Sequence, residues 1–549
     1  MRNLAGAALF VGMHLLVVTT TSAQSPTPAK TELDRVTDAF LARENDLARS
    51  LEDRHPLVET YLQVLEPDET SGSVPKSDAY FLGKLDRTVK TGLRSLLPGP
   101  GLGEKLLSMF VPVPSVSFLP KGFAEMVLVD PTALDREHYD FEFVRREFLG
   151  EVRTLVFDAR PKKGSGNDRF LGRMWVEDQD FNIVRFNGKF GAPKAKKYLH
   201  FDSWRVRTGP GLWLPAYVYS EESDLKPRVG RSVRYKSQTR IWGYDVGRRP
   251  SLDEFTKIQV DTPTAKDESA TPDDLSPVVG VRAWERLAEN DVLDRMTEAG
   301  LLSPAGEVDQ VLQTVVTNLE ATNNLDVQPE VRCRVLLTTP LESFAIGHTI
   351  VLSRGLIDAL PDESSLAAIL AHELAHIVLG HGLDTKYAFS DRMLFADEET
   401  FAVLGFQRSA TQEAEADTKG AELLSKSPYK DRLEGAGLFL AALGSRAPVL
   451  KALIRPHLGD RMVEGGKVAR MPALAASAPA LEPARVDQIA ALPLGGRIKV
   501  DIWSARIELL RNKPVVLMSA SEKLPFEVTP FLPYLTRTDA ASGANAASR

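Results

Sequence analysis

Apolar and polar positions divide the chain into a strand-rich first half and a helical second half. Val233, Tyr235, Ser237, Thr239 and Ile241 alternate with Arg234, Lys236, Gln238, Arg240 and Trp242. A period of two predicts a half-buried strand. Phe141 to Phe157, Phe170 to Val176, Phe181 to Phe186, Tyr198 to Val206 and Trp213 to Tyr219 read as further strands. Gly164-Ser165-Gly166 and Gly209-Pro210-Gly211 supply turns between them. Strands joined by short turns imply an antiparallel sheet. Trp175, Trp204, Trp213 and Trp242 lie in this region, enough for a large aromatic core. Ahead of it, Val36, Phe40, Leu47 and Leu51 fall at helical spacing within residues 30–53.

From Val281 the period becomes helical, and Val308, Leu312, Val315, Val316 and Leu319 make one apolar stripe. Val331 to Leu337 and Phe344 to Ser353 read as strands, and helices dominate from Asp362 to about Arg455. Gly465 to Pro483 is rich in Ala and Pro and reads as a loop. The fold class expected is therefore α+β and multidomain. A β-rich N-terminal domain spans 24–260, a linker with three prolines 261–279, and a mainly helical domain with a small sheet 280–463. A C-terminal α/β extension over 464–538 and a disordered tail of small polar residues over 539–549 complete the chain. Residues 1–23 have the pattern of a signal peptide: Arg2, an apolar run from Leu4 to Val18 broken only by His14, then Thr21-Ser22-Ala23 before Gln24. Retained, the same run would be an anchor helix.

Composition narrows the class. Hydrophobic residues are 43% and charged residues 26%, which excludes a wholly disordered, collagen-like or multi-span membrane chain. Cys333 stands alone, so there is no intrachain disulfide framework, and no Asn-x-Ser/Thr sequon occurs. With the export signal, this fits a periplasmic or secreted protein. Lys+Arg number 67 against 74 Asp+Glu, so overall charge leaves no nucleic-acid footprint. Residues 151–250 differ, with 21 Lys+Arg against 11 Asp+Glu. That basic stretch suits peripheral contact with an anionic membrane or an acidic partner, or else a solvated sheet face.

The chemistry lies in Ala371-His372-Glu373-Leu374-Ala375-His376. At ~100° per residue, histidines four apart on a helix project from one face about 40° apart. Neutral imidazoles so placed can reach one zinc ion. The glutamate beside the first histidine can accept a proton from the attacking water. Pro361-Asp362 signals a helix start, and Gly380 and Gly382 a stop. Leu366, Ile369, Leu370, Leu374, Ile377 and Val378 form the apolar face. The histidines point the other way, among small Ser365, Ala368, Ala371 and Ala375. The competing reading is a pair of buried core histidines.

A catalytic zinc normally has three protein ligands and one open position. His381 is the nearest candidate for the third, but it falls on the apolar side of the helix and is expected to point away. A carboxylate is favoured. In Thr411-Gln412-Glu413-Ala414-Glu415-Ala416-Asp417, Glu413 and Asp417 lie one turn apart on the same face. Glu413 could complete the ligand set, ahead of Glu398 or Glu399, and Asp417 could accept the free ring N–H of a ligand histidine. Glu415 is expected to point elsewhere.

His372-Glu-Leu-Ala-His376 followed by Glu413-Ala-Glu-Ala-Asp417 resembles the gluzincin family of the CAAX prenyl endopeptidases, HtpX and the periplasmic protease BepA, which pairs HExxH with a downstream ExxxD. Arg332 to Leu360 is similar too, and the resemblance covers about 280–445. It implies a zinc-dependent endopeptidase acting on a protein or peptide, with one Zn2+ per chain, His372, His376 and Glu413 as ligands and Glu373 as base. Envelope protein quality control is a role the family includes. Two departures stand out: Ser343-Phe344-Ala345 where the family often has Asn-Ala-Phe, and Glu482-Pro483 where periplasmic members carry His-Pro. Glu482 would then either cap the metal and hold the enzyme latent, or simply begin a helix. The β domain resembles lipoprotein carriers of the LolA type. The substrate is expected to add as a strand along Phe344 to Ser353. The alternative function is a non-enzymatic envelope carrier or chaperone with a structural zinc site; a fourth protein ligand would mark it.

Overall fold

The computed structural model describes residues 31–51, 54–68, 72–85, 93–96, 123, 125–149, 152–166, 169–190, 200–225, 233–244, 277–382, 405–481, 498–501 and 506–509. The signal-peptide, tail, Glu398, Glu399 and Glu482 readings, and the linker as far as residue 276, lie outside them.

Helix α1 (Glu32–Ser50) begins at a reciprocal cap. The Thr31 hydroxyl accepts the Asp34 N–H at 3.1 Å, and the Asp34 carboxylate accepts the Thr31 N–H at 3.2 Å. Its apolar positions Val36, Phe40, Leu41 and Leu47 are buried against a ten-stranded antiparallel sheet. The strands are β1 (Leu57–Asp68), β2 (Gly72–Leu85), β3 (Leu93–Ser95), β4 (Tyr139–Leu149), β5 (Val152–Pro161), β6 (Phe170–Glu177), β7 (Ile183–Phe190), β8 (His200–Gly209), β9 (Leu212–Leu225) and β10 (Val233–Trp242). Their order is β3-β2-β1-β10-β9-β8-β7-β6-β5-β4, so β1 sits between β2 and β10. Phe141 to Phe157 is two strands rather than one: β4 and β5 pair antiparallel with Leu149 opposite Val152. The aromatic core also differs from expectation. Phenylalanines (Phe40, Phe157, Phe170, Phe186, Phe201) fill the core under α1, whereas Trp175, Trp204 and Trp213 form a separate cluster. Glu44 of α1 and Arg205 of β8 make a fully buried ion pair inside the phenylalanine core.

The remainder is mainly helical: α2 (Pro277–Glu298), α3 (Glu307–Thr322), α4 (Arg354–Ala359), α5 (Glu363–Val378), α6 (Ala410–Ser425), α7 (Leu433–Arg446), α8 (Lys451–Ile454) and α9 (Pro472–Ser477). A small sheet holds β11 (Arg332–Leu336), β13 (Thr349–Ser353) and β12 (Ser343–Ile346) in that order, β11 parallel and β12 antiparallel to β13. The chain is thus α+β, with a large antiparallel sheet followed by helices around a small one. Phe344 to Ser353 is a hairpin, because Gly347 takes φ +55° and reverses the chain. Gly465 to Pro483 is not all loop. β14 (Val463–Glu464) and β15 (Lys467–Val468) pair across Gly465 and Gly466, both at positive φ, and α9 follows. β16 (Ile498–Asp501) and β17 (Arg506–Leu509) pair in the C-terminal extension.

One core crosses from the large sheet into the helical region. Leu57, Tyr61, Leu82 and Trp242 pack with Leu301, Leu336, Leu341 and the α5 residues. Polar contacts hold the same junction. Glu59 on β1 pairs with Arg240 and accepts the Thr339 N–H at 2.6 Å and its hydroxyl at 2.8 Å. Trp242 donates to Gly300 O at 2.8 Å. Asp78 of β2 accepts the Ala452 and Leu453 N–H groups at the start of α8, at 2.9 and 2.8 Å. Burial pushes the Asp78 carboxyl up to about 6, although those N–H groups oppose the shift. The folded protein therefore keeps this proton to higher pH than the unfolded chain, whose value is near 3.8. Its contribution to stability is full below that lower value and is lost as pH rises through about 6. We expect Asp78→Asn to become relatively more stable than the wild type, by about 1–3 kcal/mol, between pH 4 and pH 7. Denaturant melts of both proteins across that range measure it; parallel profiles would sink it.

Candidate metal centre

Helix α5 starts where the sequence places it. Asp362 caps it, accepting the Ser365 N–H at 2.7 Å. It is sandwiched between other elements, and every residue from Ser364 to Ile377 is buried. Helix α6, capped reciprocally by Ser409 and Gln412, lies against it. Gly420 sets that approach, since a Cβ there would stand 3.2 Å from the backbone N and Cα of His372. Glu413, Asp417 and Gly420 fall at i, i+4 and i+7, one face of α6. The glycine thus brings the two carboxylates up to the histidines. We expect Gly420→Ala to cost about 1–3 kcal/mol by overpacking and to loosen the carboxylate–histidine contacts. Thermal melting and metal titration would register both changes, and an unaltered protein would refute the role of this close approach.

The two Nε2 atoms of His372 and His376 lie 3.1 Å apart. Glu413 Oε1 is 3.0 Å from His376 Nε2, and Oε2 is 3.4 Å from His372 Nε2. These ligand atoms all fall within 4.8 Å of one another. Zinc bonds of 2.0–2.1 Å on a tetrahedron put ligand atoms about 3.3 Å apart, so the cluster fits the ion. Glu413 Oε1 is also buried and faces His376 Nε2, so one shared metal would satisfy both atoms. Burial works against the Glu413 charge, but His372, His376 and Arg470 hold its carboxyl well below the usual range. Burial lowers His376 toward the neutral form that binds metal. Burial and Arg470 pull His372 down, yet its two carboxylate neighbours, Asp417 and Glu413, leave it raised overall. Asp417 Oδ1 lies 2.9 Å from His372 Nδ1 and also accepts the Met471 N–H at 2.8 Å.

His381 does not point away, contrary to the helical-wheel expectation, whereas Glu415 stays outside the ligand cluster and touches His381 instead. His381 Nδ1 is 2.8 Å from His376 Nδ1, and His381 Nε2 is 3.1 Å from Glu415 Oε2. The wheel fails because α5 ends at Val378. Gly380 takes φ +69°, and the His381 N–H returns to His376 O at 3.0 Å, folding residue 381 back over the last turn.

Glu373 is buried beside the cluster. Its Oε1 accepts from Ser343 Oγ at 2.7 Å and from Arg470 Nη1 at 2.9 Å. Arg470, itself fully buried, also donates to Ser343 and lies 4.0 Å from Glu413 Oε2. Neither partner was evident beforehand. Ser343 stood out only as a departure from the Asn-Ala-Phe pattern, and Arg470 falls in the stretch read as loop. The expected strand edge is also narrower. β13 is flanked on both sides, so within Phe344 to Ser353 the edge lies on β12, and Arg408 donates to its Ala345 O at 3.0 Å.

A buried HExxH helix crossed by a helix carrying an acidic pair, beside a small mixed sheet, defines a metallopeptidase domain of the gluzincin class. Residues 304–481 match the model of peptidase family M48, consistent with the gluzincin resemblance. The match runs beyond residue 445 and takes in Arg470. No curated protein matches the chain. Solved structures give slight likenesses. A LolA superfamily protein from Nitrosomonas europaea has 10% identity and a TM-score of 0.19, covering 37% of this chain and 92% of that one. A putative outer membrane lipoprotein-sorting protein domain from Vibrio parahaemolyticus has 10% identity and a TM-score of 0.21, covering 40% and 97%. A DUF1329 family protein from Desulfovibrio piger has 16% identity and a TM-score of 0.22, covering 40% and 99%. At such TM-scores the likeness carries no argument.

Proposed function

We propose that the chain is an exported, zinc-dependent endopeptidase that cleaves protein or peptide substrates, with a part in envelope protein quality control. The observation that carries this is the convergence of His372 Nε2, His376 Nε2 and Glu413 on one point beside a buried glutamate that is not part of the cluster. In this reading His372, His376 and Glu413 hold the ion, and Glu373 is the general base. Bound zinc would polarise the scissile carbonyl and make water acidic enough to react near neutral pH. Ser343 and Arg470 occupy Glu373 Oε1, which leaves Oε2 to take the proton of the attacking water and return it to the leaving amine. A substrate strand would add along β12. Asp417 beside His372 supports its role in holding that ring.

The carrier or chaperone alternative needs a closed site with four protein ligands, whereas the cluster among the described residues has three. Among those residues no helix is long and apolar enough to cross a membrane. Arg160, Arg173 and Arg185 of the basic sheet region are already paired with Glu142, Asp158 and Asp202. Contact of that face with an anionic membrane or an acidic partner would have to exchange those pairs. Metal analysis of the purified chain, with cleavage of an unfolded protein before chelation, after it and after zinc is restored, tests the proposal. One zinc per chain and activity that follows it are expected; a chain without zinc, or hydrolysis indifferent to chelation, would overturn it.

A further inference from the structure

We propose that His381 and Glu415 form a hydrogen-bonded relay behind His376 that orients its ring toward the metal, separately from the Asp417 contact behind His372. The inference rests on the zinc-site reading above and deepens it.

The proton positions follow from the geometry. His376 presents Nε2 to the cluster, where it lies 3.1 Å from His372 Nε2 and 3.0 Å from Glu413 Oε1. A nitrogen that binds a metal carries no proton, so the His376 proton sits on Nδ1. The partner of that Nδ1 is His381 Nδ1 at 2.8 Å. Two protonated nitrogens cannot share one hydrogen bond, so His381 Nδ1 is the acceptor and the His381 proton is on Nε2. That Nε2 faces Glu415 Oε2 at 3.1 Å, a carboxylate that can only accept. One arrangement therefore satisfies every contact: His376 Nδ1–H donates to His381 Nδ1, and His381 Nε2–H donates to Glu415.

The two ligand histidines are thus held from different elements. Asp417 on α6 stands directly behind His372. His376 is held through the His381 ring that the left-handed Gly380 turn delivers, with Glu415 of α6 at its far end. Glu415 and Asp417 lie two residues apart on α6, so they serve different rings. The His381 ring is nearly buried, at 7% side-chain exposure, while Glu415 is 57% exposed. The first link therefore carries more of the effect than the second.

Chelator-competition titration of zinc on the full-length chain, together with melting of the metal-free protein, tests the relay. His381→Leu removes the acceptor and is expected to weaken zinc about 10- to 100-fold. His381→Asn puts an amide oxygen close to the place of Nδ1 and is expected to hold zinc within a few-fold of wild type. Glu415→Ala should weaken zinc about 2- to 5-fold in the wild-type background, as for an exposed pair. In the His381→Asn background it should do nothing, because the imidazole link is gone. Melting of the metal-free variants should stay near wild type. His381→Leu with wild-type zinc affinity overturns the relay. So does equal loss in His381→Leu and His381→Asn, or a Glu415→Ala effect that persists in the His381→Asn background. A wild-type chain that binds no zinc fails the metal reading itself, a separate outcome.

Discussion

Glu373→Gln is expected to lower peptide hydrolysis by about 100- to 10,000-fold while zinc stays bound. The side chain is buried beside the ligand cluster but contributes no atom to it. Glutamine has nearly the same shape, and its amide oxygen can still accept from Ser343 and Arg470, the two partners of Glu373 Oε1. What disappears is the oxygen that can take a proton. His372→Ala and His376→Ala should differ by losing zinc along with activity, since each removes one of three converging ligand atoms. Activity assays on an unfolded protein, paired with metal analysis of each variant, separate the two kinds of loss. Near-normal hydrolysis by Glu373→Gln would remove it as the base.

The largest loss of stability is expected far along the chain from that site, at Glu44. Its carboxylate lies in the phenylalanine core under α1, 2% exposed, and takes both terminal nitrogens of Arg205, one at 2.7 Å. It also accepts the Val129 N–H at 3.1 Å. Glu44→Ala would strand a buried guanidinium without its counter-charge, a cost of about 3–5 kcal/mol. For a unit of this size that is a fall of about 6–20 °C in Tm. Exchanging both partners for apolar residues, Glu44→Leu with Arg205→Met, should recover most of the loss, because no charge is then left buried. A Tm within a degree or two of wild type for Glu44→Ala would mean that the pair is not buried in solution.

Neither Glu44–Arg205 nor Glu373–Arg470 could be read from the sequence, and the reason is separation. The partners stand 161 and 97 residues apart, and periodicity reports only which face of an element is apolar. A charged residue on a buried face reads as a defect until its partner is brought to it. The division of Phe141 to Phe157 and of Phe344 to Ser353 into hairpins escaped for a related reason. Both arms of a hairpin share the same strand-like composition, so a reversal between them leaves the apolar texture unbroken.

What the sequence determined by itself is local. The alternation that makes the β region, the Asp362 cap, the His372–His376 spacing and the shared face of Glu413 and Asp417 all follow from residues within a turn or two of each other. Tertiary structure decided the rest. It set β1 between β2 and β10, gave the large sheet and the helical region a common core, and let Gly420 close α6 onto the His372 backbone. It also turned His381 back toward His376, although helical spacing alone had placed it on the apolar side, pointing away. The physical reason is the same each time. Spacing fixes where a side chain projects from its own element, but the chemistry at this site depends on which other element meets it there, and that is settled by packing among residues distant in the chain.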